Sequence, residues 1–199
     1  LLPEYRGANP IARAIADGKK VTGISTMLTS LGVAEGDILL AEKIEIPNDM
    51  TTLDLSIKVA DIAPDILYKT MIGLKDKTIK PIPQEHSKAT FAPKFTKEET
   101  FLDFNKSAQE LHNIVRALYP KPSANTYYNG TLVKILQTEV INESTFENVG
   151  KIIKKDKNGI YVATSDGILF IKTLKPEGKK EMSAFAWACG LKELGKFGN

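Results

Sequence analysis

Residues 127–132 read Tyr-Tyr-Asn-Gly-Thr-Leu, and this run governs how the second half of the chain is read. An Asn-Gly pair between β-forming residues is the sequence of a two-residue hairpin. Both central positions of the favoured turn need positive φ, which Gly adopts freely and Asn tolerates. Downstream, residues 159–163 and 167–174 flank Ser165-Asp166-Gly167 as a second hairpin, with a further strand expected around residues 150–154. Short strands joined by tight turns predict a small barrel.

Upstream of the hairpin, Ser107 and Glu110 have capping-box spacing, apolar residues fall at 108, 111, 114, 115 and 118, and Pro120 ends the run. This predicts a helix, with His112 on its polar side as a surface residue. Residues 76–100 sustain no period and are interrupted by Pro81, Pro83 and Pro93, which reads as a spacer between two domains and places His86 within it. Before the spacer, Val21–Met27 and residues 38–46 read as strands around a glycine-punctuated loop. From Thr51 to Leu74 apolar residues at 53, 57, 60, 63, 67, 71 and 74 repeat about every 3.5 residues, hence a helix. Pro64 inside it predicts a kink or a break into two helices.

The composition, 42% hydrophobic and 26% charged, is that of an ordinary globular protein. No apolar run comes near the roughly 18 residues a membrane span requires. A single cysteine, Cys189, excludes an internal disulfide and fits a reducing compartment. The net charge of +3 is mild, but residues 151–180 hold eight lysines against three acidic residues, +5, leaving −2 for the remainder. Such a segment is either a solvated basic face or a phosphate-binding patch.

Most chemistries find no residues to support them. The two histidines and one cysteine have no metal-ligand spacing, no glycine-framed nucleophile elbow occurs, and neither a GxGxxG nor a Walker loop is present. The chain has no self-sufficient active site.

The first fifteen residues, LLPEYRGANPIARAI, are informative in another way. Together with Thr22-Gly23 opening a strand and Gly36-Asp37-Ile38-Leu39, they resemble the folate-dependent formyltransferases. In that family Asn-x-His-Pro-Ser-Leu-Leu-Pro is followed by an aromatic-Arg-Gly segment and later by a Gly-x-Asp-x-Gly-[Asp/Gln] loop. Two downstream stretches, Arg116-Ala117-Leu118-Tyr119-Pro120-Lys121-Pro122 and Gly167-Ile168-Leu169 with residues 174–183, narrow the resemblance to the methionyl-tRNA formyltransferase branch. It covers essentially the whole chain in order.

The resemblance implies an α/β fold for residues 1–80, the C-terminal part of a Rossmann-like formyltransferase domain. A linker at 81–100 and a small, mainly-β, OB-like tRNA-binding barrel at 101–199 would follow. It implies transfer of a formyl group from 10-formyltetrahydrofolate to the amine of methionyl-initiator-tRNA, in the cytoplasm, by a monomer with no metal and no membrane contact. The family's catalytic Asn and His would precede Leu1, so the chain is expected to be a fragment that is inactive alone. Leu1, Leu2 and Pro3 would border the folate pocket. Ala34 falls where the family has a catalytic Asp that helps handle the proton and the oxyanion, so that carboxylate is lost here. Glu35, one position late, could substitute only by a loop rearrangement, and Asp37 reads as a turn or strand-start cap.

For tRNA the resemblance and the charge distribution point to Lys94, Lys154, Lys155, Lys157, Lys179 and Lys180. Tyr119-Pro120-Lys121-Pro122 stands where the family shows Asn-Pro-Trp-Pro, which removes one packing or stacking contact. Trp187, Tyr127 and Tyr128 are read as packing residues, with base stacking as the alternative. Two rival functions remain: a non-catalytic RNA-binding relative, and a formyltransferase acting on an amino sugar.

Overall fold

The computed structural model describes residues 1–198, which divide into two units, residues 1–94 and residues 95 onward. In the first unit Pro10 begins helix α1 (Pro10–Ala16), where its missing N–H would lack a helical partner anyway. Strands β1 (Val21–Met27) and β2 (Ile38–Glu45) pair antiparallel from Val21 with Glu45 to Met27 with Ile38.

Helix α2 (Thr52–Lys75) starts at a capping box in which Thr51 accepts from the Asp54 amide and the Asp54 carboxylate accepts from the Thr51 amide. Of the kink or break expected at Pro64, the break does not occur: α2 is one continuous element. Leu55 and Ile66 lie eleven residues apart, hence on one face, and both are buried. They anchor the helix on either side of the proline, and the Thr26 and Thr70 hydroxyls, 2.8 Å apart, tie its last turns to β1. The loss of one internal hydrogen bond is therefore tolerated.

The stripe that reveals the helix in the sequence is not the face that is buried. Leu53, Ile57, Leu67, Met71 and Leu74 are 38–55% exposed.

Residues 81–94 are not a free spacer. Ile82 exchanges backbone hydrogen bonds with Ile38 at 2.8 and 2.9 Å, the Arg6 amide donates to Thr90 at 2.9 Å, and the Ala92 amide donates to Arg6 at 2.7 Å. Gln84 and Ala92 are buried.

The second unit opens with helix α3 (Ala108–Leu118), whose Ser107–Glu110 capping box forms as expected. The Ser107 hydroxyl and amide hold the Glu110 carboxyl below its usual range. A depressed folded pKa adds stability above the unfolded value of about 4.3 that is lost as pH falls through the folded value. Replacing Ser107 by Ala is expected to cost about 1 kcal/mol at neutral pH. The difference between parent and variant in urea titrations should shrink, though not vanish, as the pH is lowered below about 4, because the Glu110 amide still donates to the Ser107 hydroxyl.

His112 does not face solvent. It is 5% exposed, with Nδ1 2.8 Å from the Thr138 hydroxyl, because a sheet strand packs over the side of α3 that the sequence marks as polar.

The hairpin of residues 127–132 joins β3 (Ala124–Tyr128) to β4 (Thr131–Ile141), with Asn129 and Gly130 at φ 47° and 77°. Strands β5 (Ile152–Asp156), β6 (Gly159–Ala163), β7 (Ile168–Pro176) and β8 (Met182–Ser183) follow, then helix α4 (Ala184–Cys189). The sheet is antiparallel, in the order β3-β4-β7-β6-β5 with β8 beside β7. Its core is centred on Ile135, Ile160, Leu169, Ile171 and Leu174, none of which is exposed, with Leu111 and Val115 of α3 against it.

No closed barrel of paired strands is seen among the described residues. The edge strands β3 and β5 do not pair with each other. Residues 195–198 lie against both instead: Gly198 donates to Tyr127 at 3.0 Å, Phe197 to Gly150 at 2.8 Å, and Ile152 to Gly195 at 2.9 Å. Tyr128 and Trp187 form an edge-to-face pair at 4.9 Å and Trp187 stacks on Phe197 at 5.5 Å, so these aromatics are packing residues.

Candidate functional site

In the first unit the loop between β1 and β2 is fixed from beneath. Gln84 Nε2 donates to the carbonyls of Ala34 at 2.9 Å and Gly36 at 2.6 Å, and Gln84 Oε1 accepts from Arg6 Nη2 at 2.7 Å. Arg6 is 3% exposed, and the same Nη2 lies 3.2 Å from His86 Nδ1. His86 therefore flanks a buried guanidinium rather than sitting in a mobile spacer. The Arg6–Gln84 pair presets the backbone of residues 34–36 before any ligand binds. Ala34 is held at φ 56°, a conformation that costs an alanine more than an Asp or Asn.

Beside this loop lies a cavity of about 270 Å³, walled by Leu1, Leu2, Ile11, Ile24 and Val59, with Gly23, Ser25 and Ala34 also lining it. Pro3 and Glu35 are not among its lining residues. The Glu35 carboxylate instead folds back over Gly32 and lies 3.8 Å from Arg6 Nη1. At position 34 the cavity meets a methyl group and no acid. The Tyr5 hydroxyl donates to Asp17 at 2.7 Å, and partial burial together with that carboxylate pushes its pKa up.

In the second unit the strand register carries several of the lysines to one end of the sheet. Val133 of β4 pairs with Pro176 of β7, so the turn at 129–130 and the loop at 177–181 share an end. Ile160 of β6 pairs with Ile171 of β7, which puts the turn at 157–158 at that same end. Lys157, Lys179 and Lys180 are exposed there, and among the described residues none is held in an ion pair. Lys154 and Lys155 are more constrained. The Lys154 ammonium lies 4.4 Å from the Tyr161 ring centroid, and Lys155 donates to the Ala188 carbonyl at the end of α4. Lys151 pairs with Glu147 and Lys172 with Glu139. Lys94 belongs to the first unit and is exposed.

Sequence reasoning missed Arg6 and Gln84. Arg6 was legible only as part of the Tyr-Arg-Gly segment, and Gln84 lay in a run whose prolines concealed it. No group of three or more metal-ligating side chains occurs among the described residues, and none of their helices is long and apolar enough to cross a membrane.

Comparison with known proteins gives a consistent picture. The family described as formyl transferase matches residues 1–71, and its C-terminal domain matches residues 94–192. A methionyl-tRNA formyltransferase of Acetivibrio thermocellus is 41% identical over 193 residues, 96% of this chain and 62% of that protein. The chain thus spans about three-fifths of the length of that curated relative. Among solved structures, HypX of Aquifex aeolicus in complex with tetrahydrofolic acid aligns with a TM-score of 0.71 at 16% identity, over 94% of this chain and 33% of that one. An N-formyltransferase of Helicobacter canadensis, solved with folinic acid and dTDP-3-aminofucose, aligns with a TM-score of 0.70 at 18% identity, over 91% and 63%. At those identities the structural likeness speaks for the fold alone.

Proposed function

This chain belongs to the formyl transferase family, and from that premise we propose that it is a portion of a methionyl-tRNA formyltransferase. The observation that carries the reading is the likeness to methionyl-tRNA formyltransferase through both units. In this reading the amine of methionine esterified to initiator tRNA attacks the formyl carbon of 10-formyltetrahydrofolate in the cytoplasm.

The folate donor supplies the activated formyl group. The mostly apolar lining of the cavity beside β1 suits the heterocycle of a folate in polarity, and its volume of about 270 Å³ would admit part of such a ligand. Leu1 and Leu2 would pack against that heterocycle, and Pro3 would support them. The Arg6–Gln84 clamp would hold the loop carbonyls in place as ligand enters. Position 34 contributes no charge and no proton-accepting atom, so the chain as it stands cannot orient an imidazole or stabilise an oxyanion from there. The tRNA would be held by the second unit acting as an OB-like module, with Lys157, Lys179 and Lys180 on phosphates and Lys94, Lys154 and Lys155 in support.

The rival amino-sugar reading would need a nucleotide-sugar site. Equilibrium binding of uncharged initiator tRNA and of a dTDP-amino sugar to the same preparation separates the two. Micromolar or tighter tRNA binding with no sugar-nucleotide binding is the expected result, and the reverse pattern would replace this function with the sugar-directed one.

A further inference from the structure

The edge of β3 carries a groove that the lysine argument does not use. Phe101 and Tyr127 stack with ring centroids 5.4 Å apart and an interplanar angle of 18°, and both rings stay partly exposed. A cavity of about 380 Å³ lies against this pair, lined also by Lys97, Glu98 and Thr126. A second, of about 450 Å³, is lined by Asn129 and Lys196. Tyr127 and Gly198 line both, so the two are halves of one groove with Tyr127 at its middle and a lysine on either side.

Thr126 alternates with Tyr127 along β3, so its buried side chain lies on the core side of the strand, and the groove is left to the two rings and the lysines. A stacked aromatic pair that stays partly exposed and is flanked by ammonium groups has the makings of a base-stacking site.

We propose that this groove takes an unpaired nucleotide of the RNA held by the second unit. The base stacks on the Phe101–Tyr127 pair, and Lys97 and Lys196 meet the phosphates on either side of it. Glu98, the one acidic side chain among the described residues lining the groove, accepts from an exocyclic amine of the base and so disfavours a bare phosphate there. The inference rests on the tRNA-binding reading and adds a stacking site to it.

The test is a titration of the chain with uncharged initiator tRNA. Tyr127→Leu should weaken binding about 5- to 100-fold while leaving its salt dependence unchanged, since stacking releases no counterions. Tyr127→Phe should bind as the parent does. Lys97→Ala with Lys196→Ala should instead flatten the log-log salt slope by about 2. UV crosslinking of 4-thiouridine-substituted tRNA should map to Phe101 or Tyr127 in the folded parent, which guards against misfolding of a variant. If Tyr127→Leu binds as tightly as the parent while Lys179→Ala with Lys180→Ala weakens binding, the stacking site is wrong and the tRNA reading stands. If the parent fails to bind tRNA, both fall together.

Discussion

Fused behind the N-terminal portion of the Acetivibrio thermocellus relative, the chain is expected to transfer formyl groups at least about 100-fold faster with Ala34→Asp than without it. Ala34 lines the cavity proposed for the donor, so a carboxylate at this position would stand at its wall. The backbone needs no rearrangement, because Gln84 already holds the Ala34 and Gly36 carbonyls. Left-handed φ at this position also suits Asp better than Ala, so the substitution should not destabilise the fold. Single-turnover formylation measured alongside folinic acid binding checks the prediction. Rate should rise with little change in affinity for the folate. A correctly folded fusion whose rate is indifferent to the residue at 34 would show that the resemblance misassigns this position.

The second large effect is on stability. Leu169 lies mid-strand in β7, opposite Val140 of β4 and Val162 of β6, and none of its surface is exposed. Leu169→Ala removes buried methyl groups where strands on both sides hold the backbone in place, so the cavity cannot collapse. The expected cost is roughly 2–5 kcal/mol, a large part of the 5–15 kcal/mol that stabilises a typical domain. Phe146→Ala, at a side chain fully open to solvent, should change stability by less than about 0.5 kcal/mol. Urea unfolding of both variants tests the pair. Equal midpoints would mean that β7 is not the centre of the core.

How much of this was legible in the sequence depends on how local each determinant is. The Asn129-Gly130 hairpin and the Ser107–Glu110 capping box are set by residues three or fewer positions apart, and they form where the sequence places them. Helix α2 was legible as a helix but not in its orientation. Periodicity reports that one face is apolar, not which of two apolar faces meets the sheet, and Leu55 and Ile66 lie on the less obvious one. Residues 81–94 are tied down by Arg6, Ala34, Gly36 and Ile38, partners 44 or more positions away. No local signal records such bonds, so three prolines suggested a spacer. His112 was misplaced for the same reason, since Thr138 lies 26 residues distant.

The candidate site divides along the same line. Ala34 was visible because a motif surrounds it, and the lysines because charge is countable. The Arg6–Gln84 clamp and the Phe101–Tyr127 stack exist only once the chain is folded.

In the proposed function the second unit holds an RNA backbone through the lysines at one end of its sheet. The most direct measurement is tRNA affinity across a series of salt concentrations, for the parent and for Lys179→Ala with Lys180→Ala. The account expects log affinity to fall linearly with log salt, and the variant's slope to be shallower by about 1 to 2. Parallel lines of equal slope would contradict it by showing that these lysines meet no phosphate.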